Sequence, residues 1–195
     1  MDFDDVLAST DVAEFAGAPA RERDLRSRGL ETVRALLSAG HEAVVEFGHD
    51  GFRIDDVVDG AGVAHGTFYI YFRDRQDLLR SLVRVVARQL RPLGNQLQGA
   101  PTETALSAWI EQLIAEFDHE AEVLRAARVL GVDEVSRELA EPLTAWLTNV
   151  PGAVSPSLSA ELLLWHVERA AVRDDIVDHQ QLAVAVLRSA GRTDP

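Results

Sequence analysis

The stretch from Ile54 to Phe72, IDDVVDGAGVAHGTFYIYF, constrains the fold more than any other part of the chain. Its first part, Ile54 to Gly60, places Ile54, Val57 and Val58 at i, i+3 and i+4, the spacing of one helical face, and closes on glycine. Gly60 and Gly62 then open a short turn. From Ala64 to Tyr71 a second short segment puts Phe68 and Phe72 on one side and leaves Ala64, His65, Thr67, Tyr69 and Tyr71 facing outward. Helix, tight turn and second helix, with small, hydrogen-bonding and aromatic residues on the free face, is the form of a helix-turn-helix that enters a DNA groove.

Charge is the first objection to that reading, since the chain carries a formal net charge of -13. Its distribution answers part of the objection. Residues 1 to 20 hold 5 acids and no Arg, residues 21 to 92 hold 11 acids and 12 Arg, and residues 93 to 195 hold 16 acids and 7 Arg. The acidic chain therefore has a near-neutral reading segment, at +1, and phosphate attraction depends on the local face rather than the whole-chain sum. All 19 basic residues are Arg. The absence of Cys excludes a disulfide scaffold, a thiolate zinc site and a cysteine nucleophile. No run approaches the roughly 18 apolar residues of a membrane span, and the acidic start MDFDDVLAST lacks the basic flank of a signal peptide, so a cytoplasmic location with no membrane partner is expected.

Taken in order, the chain reads as nine helices and no strand. Residues 1–22 are expected to form an acidic mobile tail. From Arg23 to Phe47, Leu30, Val33, Leu37, Val44 and Phe47 form one stripe at helical spacing, ended by the Gly48–Gly51 turn. After the helix-turn-helix, Asp74 with Asp77 suggests a cap, and Leu78, Leu79, Leu82, Val85 and Val86 continue helically to about Arg91, where Pro92 and Gly94 are expected to stop the helix. A helix opened by Thr102 carries Leu106, Trp109, Ile110, Leu113 and Phe117. Segments near Glu120–Leu130 and Asp133–Thr148 follow, the latter kinked by Pro142. The last two helices, from Ser157 or Ser159 to about Arg173 and from Asp178 to Ala190, are apolar around too much circumference for one core, Val172 included, which suggests a partner subunit.

The run Ala61 to Phe72, followed by Arg75 and Leu78–Leu79, resembles the signature of the TetR family of one-component transcriptional regulators. The likeness reaches less sharply back to Thr32–Leu37 and Gly48, covering about Leu25 to Leu82. Two residues depart from it: Phe52 stands where a capping Ser or Thr is usual, with Arg53 beside it as a replacement phosphate contact, and His41 stands at a usually apolar position. The resemblance implies an all-α, two-domain, homodimeric regulator with a DNA-binding domain at 23–72 and a ligand-binding and dimerisation domain at 73–195. Its partners would be a double-stranded DNA operator and a small-molecule effector, and its action that of a repressor released when the effector shifts the fourth helix.

Within that frame Arg53, Ala64, His65, Gly66, Thr67, Tyr69, Tyr71 and Arg75 are the DNA-contact candidates. Trp109, Leu113, Phe117, His119, Trp146, Trp165 and His166 are candidates for an effector pocket, beside the plainer reading of the aromatics as core. Leu163, Val167, Ala170, Ala171 and Val186 are candidates for the dimer interface. Enzyme chemistry finds no footing: Gly60, Gly62 and Gly66 are out of register for a dinucleotide fingerprint, His41-Glu42 and His119-Glu120 lack the second histidine of a zinc helix, and there is no serine elbow. No cofactor and no metal are expected. The alternative from another class is a helical small-molecule-binding protein whose helix-turn-helix has lost DNA affinity.

Overall fold

The computed structural model describes residues 2–20, 26–173 and 177–191. Among them the backbone forms ten α-helices, a 3-10 turn at Val12–Phe15 and no strand. In order these are α1 Phe3–Ser9, α2 Ser27–Phe47, α3 Ile54–Gly60, α4 His65–Tyr71, α5 Arg75–Asn95, α6 Glu103–His119, α7 Ala121–Leu130, α8 Glu134–Leu147, α9 Pro156–Arg173 and α10 His179–Ala190. The all-helical expectation holds, with ten helices in place of nine. The start of the first expected helix at Arg23, the Leu25 edge of the resemblance and the side chain of Val172 lie outside the described residues.

The tenth helix is α1, in the stretch read as a mobile tail. Asp2 caps it by accepting the Asp5 N–H at 2.8 Å, and Phe3, Val6 and Leu7, spaced i, i+3, i+4, are buried together with Val12 and Phe15. Cations of α2 and α5 hold the segment down. Arg34 Nε donates to the Leu7 carbonyl at 3.1 Å, Arg84 donates to the carbonyls of Phe15 and Ala16, and Arg88 pairs with Glu14 at 2.8 Å. The Phe3 ring stacks on His41 at 4.0 Å between centroids, which gives the polar residue on α2 an apolar cover.

The chain divides into two compact units, Met1–Gln89 with Glu122–Asp133, and Leu90–Ala121 with Glu134–Pro195. The first unit includes the first half of α5, where Leu78, Leu79, Leu82, Val83, Val85 and Val86 are all buried. Leu78 lies against Gly40, where an added Cβ would meet its Cδ2 at 3.0 Å. On α2 the buried stripe is Val33, Leu36, Leu37, Ala39, Ala43 and Val44, while Phe47, expected in it, is 48% exposed.

In the second unit α6, α8, α9 and α10 pack on one another. Helix α5 does not stop before Pro92 but continues to Asn95. Proline costs one N–H there, and near the helix end the Leu93 carbonyl accepts both the Gln96 N–H at 3.1 Å and the Trp109 indole N–H at 2.9 Å. Gly94 admits the ring of Pro142, since a Cβ at Gly94 would lie 2.5 Å from Pro142 Cγ. No helix among the described residues is long and apolar enough to cross a membrane.

Candidate nucleic-acid interface

The α3–turn–α4 unit is held from both sides by side chains the sequence places there. Phe52 is fully buried, and the N-cap of α3 is the next residue, Arg53, whose N–H donates to Asp56 Oδ2 at 2.7 Å. Asp56 thus forms the carboxylate half of a capping box, taking up the N-cap's own N–H. At the far end Gly62 adopts φ +64°, and the Gly62 and Val63 N–H groups bond the Asp59 and Val58 carbonyls at 3.1 and 3.0 Å. That closure needs a left-handed residue, so Gly62 is demanded by backbone geometry. Gly60 serves packing instead: a Cβ there would meet Ala39 Cβ at 3.1 Å.

Helix α4 buries Phe68 and Phe72, whose rings lie 5.6 Å apart, and turns the rest outward. Ala64, His65, Gly66 and Tyr69 are exposed; Thr67 and Tyr71 are half-buried. At Gly66 an added Cβ would meet nothing within 4 Å, so no contact inside the chain requires glycine there. His65 is engaged: its Nδ1 lies 2.7 Å from Asp55 Oδ1, its Nε2 3.3 Å from the Tyr69 hydroxyl, and its ring stacks on Tyr69. Two exposed residues escaped the sequence reading. Ile70 is 48% exposed on α4. Arg73, just past Phe72, is exposed with no side-chain hydrogen bond among the described residues. Counting the outward positions beyond the Phe68/Phe72 pair would have found both.

Arg75, expected as a free phosphate clamp, is largely a structural tie. Its guanidinium donates to the carbonyls of Asp50 at 2.7 Å and Phe52 at 3.0 Å and lies over the Phe52 ring, 5.1 Å from its centre. The same loop is gripped from α7, where Glu122 Oε2 accepts from the His49 N–H at 3.1 Å and meets His49 Nδ1 at 3.0 Å, while its other oxygen pairs with Arg125. Burial pushes the Glu122 carboxyl up, but the His49 hydrogen bonds and the Arg125 charge outweigh it and hold the group below the ordinary glutamate range. A depressed carboxylate contributes stability that is complete above its unfolded value and lost as pH falls through the folded one. Glu122→Gln should therefore melt at a less acid-sensitive temperature than wild type, the two curves separating most at neutral pH and converging below the ordinary carboxylate range. Thermal melts across that window check it, and parallel curves would refute the tie.

The other candidates divide by burial. Trp109, Leu113, Phe117 and Trp146 are buried in the second unit, whereas His119 and His166 are exposed and Trp165 is 55% exposed beneath Arg169, so those three do not join the other four. Leu163, Val167, Ala170, Ala171 and Val186, the dimer-interface candidates, are buried within the single chain. The surplus apolar surface of α9 lies instead on Leu158, Leu162 and Trp165, each more than half exposed. A surface recess of about 410 Å³ lies beside Glu103, Gln180, Gln181, Val184, Ala185 and Arg188. No group of three or more potential metal ligands occurs among the described residues.

Helices α3 and α4 thus form a helix-turn-helix whose second helix faces outward, set among the other helices of the described residues. Residues 36–82 match the family described as bacterial regulatory proteins, tetR family. The chain is 27% identical over 96 residues to the HTH-type transcriptional regulator EthR of Mycobacterium tuberculosis, a match covering 49% of this chain and 44% of EthR. It therefore spans less than half the length of that relative. In fold it is similar to a TetR-family regulator from Mesorhizobium loti (TM-score 0.61, 18% identity, 85% of this chain and 96% of the other). It is also similar to the regulator FadR from Bacillus subtilis in complex with stearoyl-CoA (TM-score 0.60, 18% identity, 78% and 94%).

Proposed function

We propose that the protein is a homodimeric, ligand-responsive DNA-binding transcription regulator, a repressor released from its operator by a small molecule. The observation that carries the reading is Gly66: an exposed glycine in α4, with open space where a side chain would go, suits a backbone that a DNA phosphate approaches closely. Around it His65, Thr67, Tyr69 and Ile70 would meet base edges and phosphates, and Arg53 and Arg73 would flank the groove. Ala64 and Tyr71 stay in the contact set at its edges, and Arg75 contributes through the loop it holds. Asp55 and Asp56 on α3 would repel phosphate less than their charges suggest, because Asp55 is paired with His65 and Asp56 with the Arg53 N–H.

Dimerisation is assigned to the α9 stripe Leu158, Leu162, Trp165, and effector binding to the second unit. FadR, similar in fold, binds stearoyl-CoA; here the effector is an unidentified small molecule, with Trp109 and Trp146 as fluorescent reporters. A non-enzymatic, cytoplasmic role follows from the same reading.

The test is DNA binding by Gly66→Ala. Alanine favours a helix by up to about 1 kcal/mol over glycine, so this variant should melt no lower than wild type. It should nonetheless bind a duplex pool at least tenfold more weakly, with wild-type affinity falling steeply as salt rises. A wild type that ignores DNA at low salt overturns the regulator reading in favour of a ligand-binding helical protein; a Gly66→Ala variant with unchanged affinity removes α4 as the reading helix.

A further inference from the structure

Three side chains on the outer face of the helix-turn-helix form a chain of polar contacts that runs from one helix to the other. Asp55, in the first turn of α3, places Oδ1 2.7 Å from His65 Nδ1; His65, first residue of α4, places Nε2 3.3 Å from the Tyr69 hydroxyl one turn on. The His65 and Tyr69 rings are stacked, with centroids 5.5 Å apart and planes 27° apart, so the histidine is gripped on its face as well as at both nitrogens. We propose that Asp55, His65 and Tyr69 are a hydrogen-bond relay in which the protonation of His65 decides whether the Tyr69 hydroxyl can donate to a DNA phosphate. This rests on the assignment of α4 as the reading helix.

The argument is one of donor and acceptor counting. A carboxylate only accepts, so the short Asp55 contact requires a proton on His65 Nδ1. In the neutral ring Nε2 is then bare, and the one arrangement that satisfies it has the Tyr69 O–H donating to Nε2. The Tyr69 oxygen in that state presents lone pairs alone, which a phosphate cannot use. When His65 takes up a proton at Nε2, the direction of the bond reverses: Nε2–H donates to the Tyr69 oxygen, and the phenolic proton becomes available to a phosphate. Asp55 acts at a distance as a positioning residue, because it fixes which ring nitrogen is bare. On α3, the helix packed on α4, the titratable groups are Asp55, in contact with His65, Asp56, which accepts the Arg53 N–H, and Asp59 one turn after Asp55.

Protonation of His65 also adds a positive charge near DNA, so the two effects must be separated. Binding of the full chain to a fluorescent random-sequence duplex, measured against pH at fixed salt, should tighten as pH falls by about three- to tenfold beyond what the charge supplies, the range for one hydrogen bond. Tyr69→Phe keeps the imidazole and its charge but has no phenolic proton, so its profile should be flatter than wild type by that factor. Asp55→Ala should flatten it likewise, and His65→Gln should abolish the inflection. If Tyr69→Phe shows the full wild-type pH dependence, charge alone is at work and the relay is overturned. The free protein gives a separate readout that needs no DNA: nitrogen NMR should show neutral His65 protonated at Nδ1 in wild type and redistributed toward Nε2 in Asp55→Ala. Neutral His65 protonated at Nε2 in wild type overturns the relay whatever the DNA result. A correct tautomer in a protein that binds no duplex at any pH removes the phosphate half of the proposal together with the regulator reading.

Discussion

Asp77→Ala should lower the stability of the first unit by about 2–4 kcal/mol, one of the two largest effects expected of any single substitution in this protein. Asp77 is 3% exposed, and its Oδ2 accepts from two backbone donors, the Ala18 N–H at 2.8 Å and the Arg73 N–H at 3.0 Å. Alanine would leave both N–H groups buried without a partner, at about 1–3 kcal/mol for each group so stranded. The site joins three parts of the unit: the N-terminal segment, the end of α4 and the start of α5, which Asp74 caps by accepting the Asp77 N–H at 2.8 Å. Gly17 fits into the same joint with no room to spare. A Cβ there would lie 2.6 Å from Asp77 Oδ2, from Phe72 Cδ1 and from the Tyr71 carbonyl, so Gly17→Ala should cost about 1–3 kcal/mol through overpacking. Denaturant unfolding of both variants and the double variant measures the joint. The pair should be non-additive because the two residues touch. An Asp77→Ala midpoint equal to wild type would show that solvent reaches the two donors and that the N-terminal segment is not part of the fold's cooperative unit.

This joint was invisible in the sequence, and the reason is physical. The residues Phe3, Val6 and Leu7 do have helical spacing, but a single turn of it among five acids reads as solvated chain. What makes the segment fold is distant: arginines of α2 and α5 offering guanidiniums to its carbonyls, and Asp77, 59 positions from the amide it receives. The helix-turn-helix was legible because its determinants are local. Gly62 is fixed by a left-handed φ, and Phe68 and Phe72 by a one-turn repeat, so each can be read from neighbours alone.

Arg75 and His65 show where local reading fails within a site that it located correctly. Both were read as outward cations or donors awaiting DNA, since spacing gives the direction of a side chain and not its partners. Arg75 is occupied by the Asp50 and Phe52 carbonyls, and His65 by Asp55 and Tyr69. The same limit explains α9. Its residues are apolar on nearly every side, and periodicity cannot say which arc of such a helix meets its own core.

The structure resolves that arc, and substitutions at Leu163 and Trp165, two positions apart, should behave in opposite ways because of it. Leu163 is fully buried in its own chain, so Leu163→Glu places an unpaired carboxylate in the core, and unfolding on the order of 3–5 kcal/mol more easily is expected. Trp165 is 55% exposed and lies with Leu158 and Leu162, spaced i, i+4 and i+7, on the opposite arc, with Arg169 over its ring at 5.2 Å. Trp165→Glu should leave the single chain folded, because it strands no buried group, yet it should break the homodimer proposed above by setting a charge in the middle of the apolar stripe. Sedimentation should then show a folded monomer for Trp165→Glu, and a loss of cooperative melting for Leu163→Glu. Operator affinity should fall sharply in the Trp165 variant, since one reading helix makes half the phosphate contacts and cannot bridge two half-sites one helical turn apart. A monomeric wild type, or a Trp165→Glu protein with the wild-type sedimentation coefficient, would move the dimer contact off α9 altogether.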